Sequence, residues 1–487
     1  MRFAYPASDF RAADTAVQQL VDESVLIDRA SSAVARRAAA MLGSVYGAHV
    51  CVLAGSGHNG ADALWAGRKL QQRGARVDVV LGSDPRDEHG AEPLRRLRAA
   101  GARTADPSAM RDCGLVIDGL AGIGFTGALR DPSLADHASA AALVLAVDVP
   151  SGVDADTGAV AGAAVRAHVT VTFGGLKPGL LLDPGAEYAG QVEVADIGLA
   201  AQLGESRLLL LGADDVAAAF GTPHRESSKY TRGVVGVVAG SDRYTGAAVL
   251  CCGGAVRAGA GMVQLVSAGP AAALVRASWP EVVAVSDGDP ATIAREDKVT
   301  AWVVGPGLGT DDRATALVAA VLASGVPVIV DADGLTIAAK DPQLLKRSAP
   351  TVVTPHLGEF ARLTGASAAD TRNDRLGAAR RAADALGVTV LLKGTTTVVA
   401  EPGGPAYINA TGTPWLSTAG TGDVLSGVIG ALLARGIGAA EAAATGAWVH
   451  GLAGRLSAVR AGPDGPIAAG DVIRHLPAAI AATRSAG

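Results

Sequence analysis

With 487 residues the chain is too long for one core, and a length prior suggests about three domains. Hydrophobic residues make up 49% of it but aromatic ones only 3%, so its cores must be built from Ala, Val and Leu, which favours α/β layers. Lys plus Arg number 42 against 47 Asp plus Glu, a formal charge of −5 that leaves no basic surplus for nucleic acid, and four cysteines at positions 51, 113, 251 and 252 form neither a disulfide framework nor a metal-ligand spacing and fit a reducing cytoplasm.

The chain opens Met1-Arg-Phe-Ala-Tyr-Pro6, without the apolar core of a signal peptide, and no apolar run reaches transmembrane length, so no membrane partner is expected. Residues 9–43 read as helix. Val50-Cys-Val-Leu-Ala54 reads as a buried strand running straight into Gly55-Ser-Gly-His-Asn-Gly-Ala-Asp62, with a helix to near Gly74. Strand, glycine loop and helix in that order form the phosphate cradle of dinucleotide-binding folds, and glycines 55, 57 and 60 match its spacing, although a lone match is weak. Residues 75–81 follow as strand and 88–100 as helix. Leu115-Val-Ile-Asp118 and Leu143-Val-Leu-Ala-Val-Asp148 are strands ending in an acid, followed by Gly119-Leu-Ala-Gly-Ile-Gly-Phe-Thr-Gly127 and by Val149-Pro-Ser-Gly152. In an open parallel sheet such strand ends share one edge, where ligands bind. Taken singly, Asp118 and Asp148 read best as loop caps. As a set, Asn59, Asp118 and Ser151 are oxygen ligands that suit a hard cation. Residues 190–198 read as the last strand of a first domain, 200–206 as a linker, and 208–211 as a strand already paired with a second sheet.

The second half alternates strand and helix again. Val234-Val-Gly-Val-Val-Ala239 turns at Gly240-Ser-Asp-Arg-Tyr-Thr-Gly-Ala247 into an Ala-rich helix that carries Cys251 and Cys252 as core residues. Strands at 262–266, 300–304, 326–330, 351–354 and 388–392 end in polar or glycine-rich loops: Gly305-Pro-Gly-Leu-Gly309, Asp331-Ala-Asp333, Pro355-His356 and Lys393-Gly-Thr-Thr-Thr397. Asp331 and Asp333 read as caps of their loop. The last such loop is Ser417-Thr-Ala-Gly-Thr-Gly-Asp423, before an apolar run at helical spacing. A glycine-rich helix start offers unpaired N–H groups and partial positive charge to a phosphate. An aspartate beside it would repel a resting phosphate, but is apt where a hydroxyl must lose its proton as a phosphoryl group arrives. The plainer alternative is an Asp that only caps the turn.

The ordered motifs of the second half resemble the ribokinase-like fold, most closely the branch that dehydrates hydrated NAD(P)H. The first half, essentially residues 9–206, resembles the NAD(P)H-hydrate epimerase family, called YjeF-N after its domain. The resemblance implies an α/β chain of two domains, a Rossmann-like doubly wound sheet over 1–206 and a ribokinase-like domain over 212–487. It also implies metabolite repair. The nicotinamide ring takes up water to give R and S hydrates (NADHX and NADPHX); the first domain interconverts them, and the second dehydrates the S form while ADP, with ATP as the alternative, is consumed. By resemblance potassium sits on Asn59, Asp118 and Ser151. The hydrate in the first domain meets His58, Asn59, Gly60, Ala61 and Asp62, then Gly122, Ile123, Gly124, Phe125, Thr126, Gly127 and Ala128, with Asp148 catalytic. Lys177 also matches a family position, against the plain reading of a solvated turn lysine. In the second domain Ala247, Gly307, His356 and the catalytic Asp423 surround the hydrate. Lys393, Gly394, Thr395, Thr396 and Thr397 surround the adenine nucleotide with Gly420, Thr421 and Gly422, and Glu359 acts on magnesium through water. The expected assembly is a homo-oligomer.

The sequence departs from the family pattern in one loop. The family usually reads Asn-Asn-Gly-Gly-Asp-Gly where this chain has His58-Asn-Gly-Ala-Asp-Ala63, and Ile123 stands where Thr is usual. The methyl groups of Ala61 and Ala63 are expected to narrow the pocket. Two rival readings are a small-molecule kinase, which shares the Gly-x-Gly-Asp logic, and a first domain that binds a nucleotide or partner without catalysis.

Overall fold

The structure, a computed structural model, describes residues 1–285, 289–461 and 465–484; the expected end of the second domain at 487 lies outside them. Backbone contacts group the chain into two compact units, one built from Phe3–Ser206 and the other from Arg207–Thr371 with Arg375–Gly487.

The first unit is a seven-stranded sheet flanked by helices. Across the sheet the strands run Arg103–Thr104, Arg76–Leu81, His49–Ala54, Leu115–Gly119, Val144–Val147, Val169–Phe173 and Gln191–Ala195, all parallel. Strand order therefore reverses between His49–Ala54 and Leu115–Gly119, the topological switch point of a doubly wound sheet. Apolar side chains cover both faces, as parallel sheets require. The helix expected over 9–43 is two helices, Ala7–Gln18 and Glu23–Leu42. The break is a capping event: the Asp22 carboxylate accepts from Ser24 N at 2.9 Å and starts the second helix. Val169–Phe173, β-branched but for its last residue, is not among the elements expected above.

In the second unit the sheet order is Leu208–Leu210, Ala406–Asn409, Thr397–Ala400, Thr389–Leu392, Thr351–Val353, Val328–Val330, Ala301–Val304, Val234–Val238, Met262–Val266 and Val283–Val285. The strands are parallel from Thr389–Leu392 to Val283–Val285, while Thr397–Ala400 runs antiparallel to both of its neighbours. The helix Thr421–Ala434 is buried along most of its length. Against Thr245–Arg257 it packs at a distance only small residues allow: a Cβ on Gly427 would lie 2.0 Å from Cys251 O, and one on Gly254 2.3 Å from Val424 O. All four cysteines are buried free thiols, and no helix among the described residues is long and apolar enough to cross a membrane.

Candidate active sites

Each unit has a large cleft at the carboxyl ends of its parallel strands. In the second unit it measures about 440 Å³ and takes Asp331, His356 and Lys393 from three strand ends, with Gly420–Asp423 opposite. Gly420 has φ 87°, a conformation that favours glycine, and turns the chain into the helix so that its first N–H groups open to the cleft. Gly422 leaves room beside the Lys393 ammonium, which a Cβ there would approach to 3.4 Å.

Lys393 Nζ donates to Asp331 Oδ1 at 2.8 Å and lies 3.8 Å from Glu359 Oε2, while Asp331 Oδ2 accepts from Ser426 Oγ at 2.8 Å. Burial alone would pull the Lys393 ammonium down; Asp331 and Glu359 outweigh it and hold it above its ordinary value. The Asp423 carboxyl has no hydrogen-bond partner among the described residues. Burial, then the neighbouring charge of Asp331, push it up to about 7, with Lys393 pulling the other way. A proton acceptor poised near neutral pH, unengaged and beside an anion cradle, is suited to general-base chemistry.

Two histidines support this frame. His356 Nδ1 accepts from Gly358 N and Glu359 N at 3.0 and 3.3 Å, while Glu359 Oε2 accepts from His356 N at 2.9 Å, a reciprocal cap on the helix Leu357–Thr364. Glu359 is thus both a cap and a cleft carboxylate. Burial lowers His450 to about 4, so its ring is neutral, and the 2.9 Å contact with Thr421 O requires the proton on Nε2. That bond ties the glycine turn to the helix Ala439–Arg460.

The first unit's cleft, about 610 Å³, opens at the switch point. Its glycine loop folds tightly on itself: a Cβ on Gly60 would sit 2.1 Å from Gly55 O, and one on Gly55 2.0 Å from Leu120 O. The helix His58–Gln72 starts there. Asn59 Nδ2 donates to Val147 O at 2.7 Å and Ala121 O at 3.2 Å. Ser151 Oγ accepts from Ala121 N at 2.8 Å and donates to Asp118 Oδ1 at 2.6 Å, and Ser151 N donates to Asp118 Oδ2 at 2.9 Å. Asn59, Asp118 and Ser151 therefore converge on the loop after Leu115–Gly119. Burial raises the Asp118 carboxyl although Ser151 bonds its oxygens.

Asp148 follows its strand with φ 66°. Its Oδ1 accepts from Lys177 Nζ at 2.5 Å, Thr172 Oγ1 at 3.0 Å and Phe173 N at 3.1 Å. Lys177, only 1% exposed, also donates to Thr172 Oγ1 and Phe173 O and lies 3.9 Å over the Phe10 ring. It is a buried ion-pair partner, not a solvated turn lysine. Asp62 has no hydrogen-bond partner among the described residues, and burial, then Asp148 and Asp14, push its carboxyl well above the usual range.

A profile described as NAD(P)H-hydrate dehydratase matches residues 235–477, and one described as YjeF-related protein N-terminus matches 23–179. A bifunctional NAD(P)H-hydrate repair enzyme of Mycobacterium leprae is 48% identical over 492 residues, covering 99% of this chain and all of the other. The chain belongs to the bifunctional NAD(P)H-hydrate repair enzymes. A solved ADP/ATP-dependent NAD(P)H-hydrate dehydratase from Bacillus subtilis, crystallised with ATP and Mg2+, aligns with a TM-score of 0.51 at 31% identity, over 56% of this chain and 98% of that one. A ribokinase-like protein of Enterococcus faecalis aligns at 0.52 and 24% identity, over 57% and 97%, which shows the fold alone. One profile match falls within each unit of this repair enzyme.

In the repair enzyme the first cleft gathers His58, Asn59, Gly60, Asp62, Gly122, Ile123, Gly124, Phe125 and Asp148. Ala61 and Ala63 are turned away from it. Both are buried, and Ala63 packs towards the sheet, where a Cβ on Gly119 would meet its Cβ at 2.6 Å; their methyl groups do not narrow the pocket. Thr126, Gly127 and Ala128 are exposed and off the lining, because the chain turns at Gly122–Phe125, with Phe125 N donating to Gly122 O at 2.9 Å. The second cleft gathers His356, Lys393, Gly394, Thr395, Thr397, Gly420, Thr421, Gly422 and Asp423; Thr396 is buried off its lining. Ala247 and Gly307 also lie off it and pack on each other, since a Cβ on Gly307 would come 2.7 Å from Ala247 Cβ. Sequence reasoning missed Asp331, read as a cap, along with His450 and Phe10. It is Asp333 that behaves as a loop cap, with Oδ2 accepting from Gly309 N at 2.8 Å.

Proposed function

We infer that the chain repairs hydrated nicotinamide cofactors. A domain over 1–206 interconverts the R and S hydrates of NADH and NADPH, and one over 212–487 returns the S hydrate to NAD(P)H while ADP, or ATP in its place, is consumed. The observation that carries this reading is Asp423, an unengaged carboxyl titrating at about 7 beside the glycine turn and Lys393. Hydroxide leaves poorly from carbon, and a phosphorylated oxygen leaves easily. Asp423 takes the hydroxyl proton as that oxygen attacks the terminal phosphoryl group, whose charge the N–H groups of Gly420–Gly422 and the Lys393 ammonium receive. AMP leaves as the donor's terminal phosphoryl bond breaks (ADP where ATP is the donor), and phosphate then departs, taking up the ring's neighbouring proton as the double bond is restored. Asp331, Glu359 and Asp423 set three carboxylates against one ammonium, a charge balance that fits Mg2+; Glu359, which lines the cleft, would hold the ion through water, and the ion would neutralise charge on the transferred group.

In the first cleft the hydrate carbon bears both a hydroxyl and the ring nitrogen. Asp148, held by Lys177, accepts the hydroxyl proton while Asp62, whose carboxyl burial pushes well above the usual range, donates to the nitrogen. The ring opens to an aldehyde, the freed carbon rotates, and closure from the other face returns both protons and yields the other epimer. Asp148 is committed to Lys177, Thr172 and Phe173 while Asp62 is unengaged, and two carboxyls in such different surroundings suit paired transfer. Asn59, Asp118 and Ser151 would hold potassium: one carboxylate among three oxygen donors suits a monovalent ion, and Asn59 keeps its Oδ1 available because Nδ2 is committed to carbonyls. The substrates are damaged intracellular cofactors, so we expect the protein in the cytoplasm.

The test uses pure S hydrate and the full chain, following recovery of the NADH absorbance band with ADP, with ATP and with neither. Recovery with a nucleotide supports the reading; none with either refutes it. A stable phosphorylated hydrate that accumulates would mark a kinase instead.

A further inference from the structure

We propose that Ser83 and Arg86, in the loop after the strand Arg76–Leu81, bind a ribose 2′-phosphate and make the first cleft selective for the phosphorylated hydrate; the proposal rests on reading that cleft as the epimerising one. In chain order the sheet runs third, second, first, then fourth onwards, so Arg76–Leu81 lies directly beside the strand that feeds the glycine loop. In sheets of this order the dinucleotide pyrophosphate lies over that loop, and the end of the neighbouring strand meets the adenosine ribose. An acid there takes the two free hydroxyls, whereas an arginine accommodates a 2′-phosphate.

Here the strand ends in Gly82-Ser83-Asp84-Pro85-Arg86, and the backbone of this loop is clamped onto the glycine loop. Gly82 N donates to Ala54 O at 2.9 Å and Arg86 N to Ser56 O at 3.4 Å. Ser83 and Arg86 line the cleft, and Asp84 does not. Two of the neighbouring acids are engaged elsewhere: Asp87 caps the helix Glu88–Ala99 through Gly90 N at 3.2 Å, and Glu23 meets His89 at 3.0 Å and His58 at 3.8 Å. The Arg86 guanidinium has no ion-pair partner among the described residues. An unpaired guanidinium and a hydroxyl that line the cleft from a loop bonded to the glycine loop, with no carboxylate of that loop in the lining, suit a phosphate dianion.

The test starts from pure R hydrates of NADPH and NADH and the full chain without nucleotide, so that dehydration is idle, and follows the S epimer by chromatography. Wild type should show the higher kcat/KM for the phosphorylated hydrate. Arg86→Ala should lower the ratio of the two kcat/KM values about tenfold, the effect of one charge-assisted contact, and Arg86→Glu should lower it further. Arg86→Lys should restore part of it, and unchanged unfolding midpoints exclude misfolding as the cause. A ratio unchanged in Arg86→Ala, or a wild type that prefers the unphosphorylated hydrate, overturns the proposal. Calorimetric titration with NADP+ and NAD+ separates the two levels of inference. An Arg86-dependent preference for NADP+ without epimerisation keeps the phosphate site and sinks the epimerase reading; epimerisation without that preference does the reverse.

Discussion

Replacing Asp423 with Asn should abolish dehydration and, at the same time, stabilise the second unit. The carboxyl titrates at about 7 in the folded chain against an ordinary value of 3.8, because it is buried and Asp331 stands beside it. Between those two values the folded protein holds a proton that the unfolded chain has released, so its stability falls as pH rises through the window. The gap is about three pH units at about 1.4 kcal/mol each, so the ionised carboxylate costs the fold on the order of 4 kcal/mol by about pH 8. Asn cannot ionise. The variant should match wild type near pH 4 and exceed it by up to about 4 kcal/mol near pH 8, a difference that denaturant unfolding of the second unit's transition resolves. Turnover of the S hydrate should fall by about two to four orders of magnitude, the usual cost of losing a general base. Equal stability at both ends of the pH range would mean a solvated carboxyl and would remove the ground for its role. A variant that keeps near-normal turnover would show that Asp423 is not the base.

The dehydration rate should fall on the acid side as Asp423 protonates near pH 7. Asp331→Asn removes a negative neighbour and should move that acid limb to lower pH; a limb that stays in place would mean the two carboxyls do not interact. Lys177→Met leaves Asp148 buried without its partner and should destabilise the first unit by about 3–5 kcal/mol, read by denaturant unfolding; a change near zero would mean the pair is hydrated. Asp118→Ala removes the only formal charge among the three oxygen donors and should abolish any stimulation of epimerisation by potassium chloride over sodium chloride. If wild type shows no such stimulation, the cation assignment is wrong. Cutting the chain between residues 201 and 206 should give two soluble fragments, with S-hydrate dehydration in the second; fragments that fail to fold alone would refute the domain boundary.

What the sequence made legible is what local chemistry decides. Glycines 55, 57 and 60 and the run Gly420–Asp423 announce helix starts at strand ends because backbone conformation and close approach are properties of a few adjacent residues. The break at Asp22 was equally local and readable, since an Asp-Glu-Ser sequence is a good cap, but the apolar spacing on either side masks it. Ala63 lies three residues after Gly60 and four before Gly67, so the sheet-facing side of its helix was also open to reading, and the expected narrowing of the pocket ran against that periodicity.

Charge pairing was not legible, because it is made between distant strand ends. Lys393 finds Asp331 across 62 residues of chain, Ser426 finds the same carboxylate across 95, and Lys177 finds Asp148 across 29. Asp331 and Asp333 are the same residue type two positions apart, and nothing in their spacing tells which one turns towards the cleft. The sheet decides it. Asp331 directly follows the strand Val328–Val330 and meets Lys393 and Ser426, whereas Asp333 lies within the helix Ala332–Lys340 and accepts from Gly309 N. The same placement raises Asp423, since a carboxylate fixed by two partners cannot turn away when its neighbour ionises. Burial first, and then the charge of Asp331, raise Asp423, so the proton affinity proposed for the dehydration base is a property of the folded sheet edge, and Asp331, which the sequence reads as a cap, contributes to it.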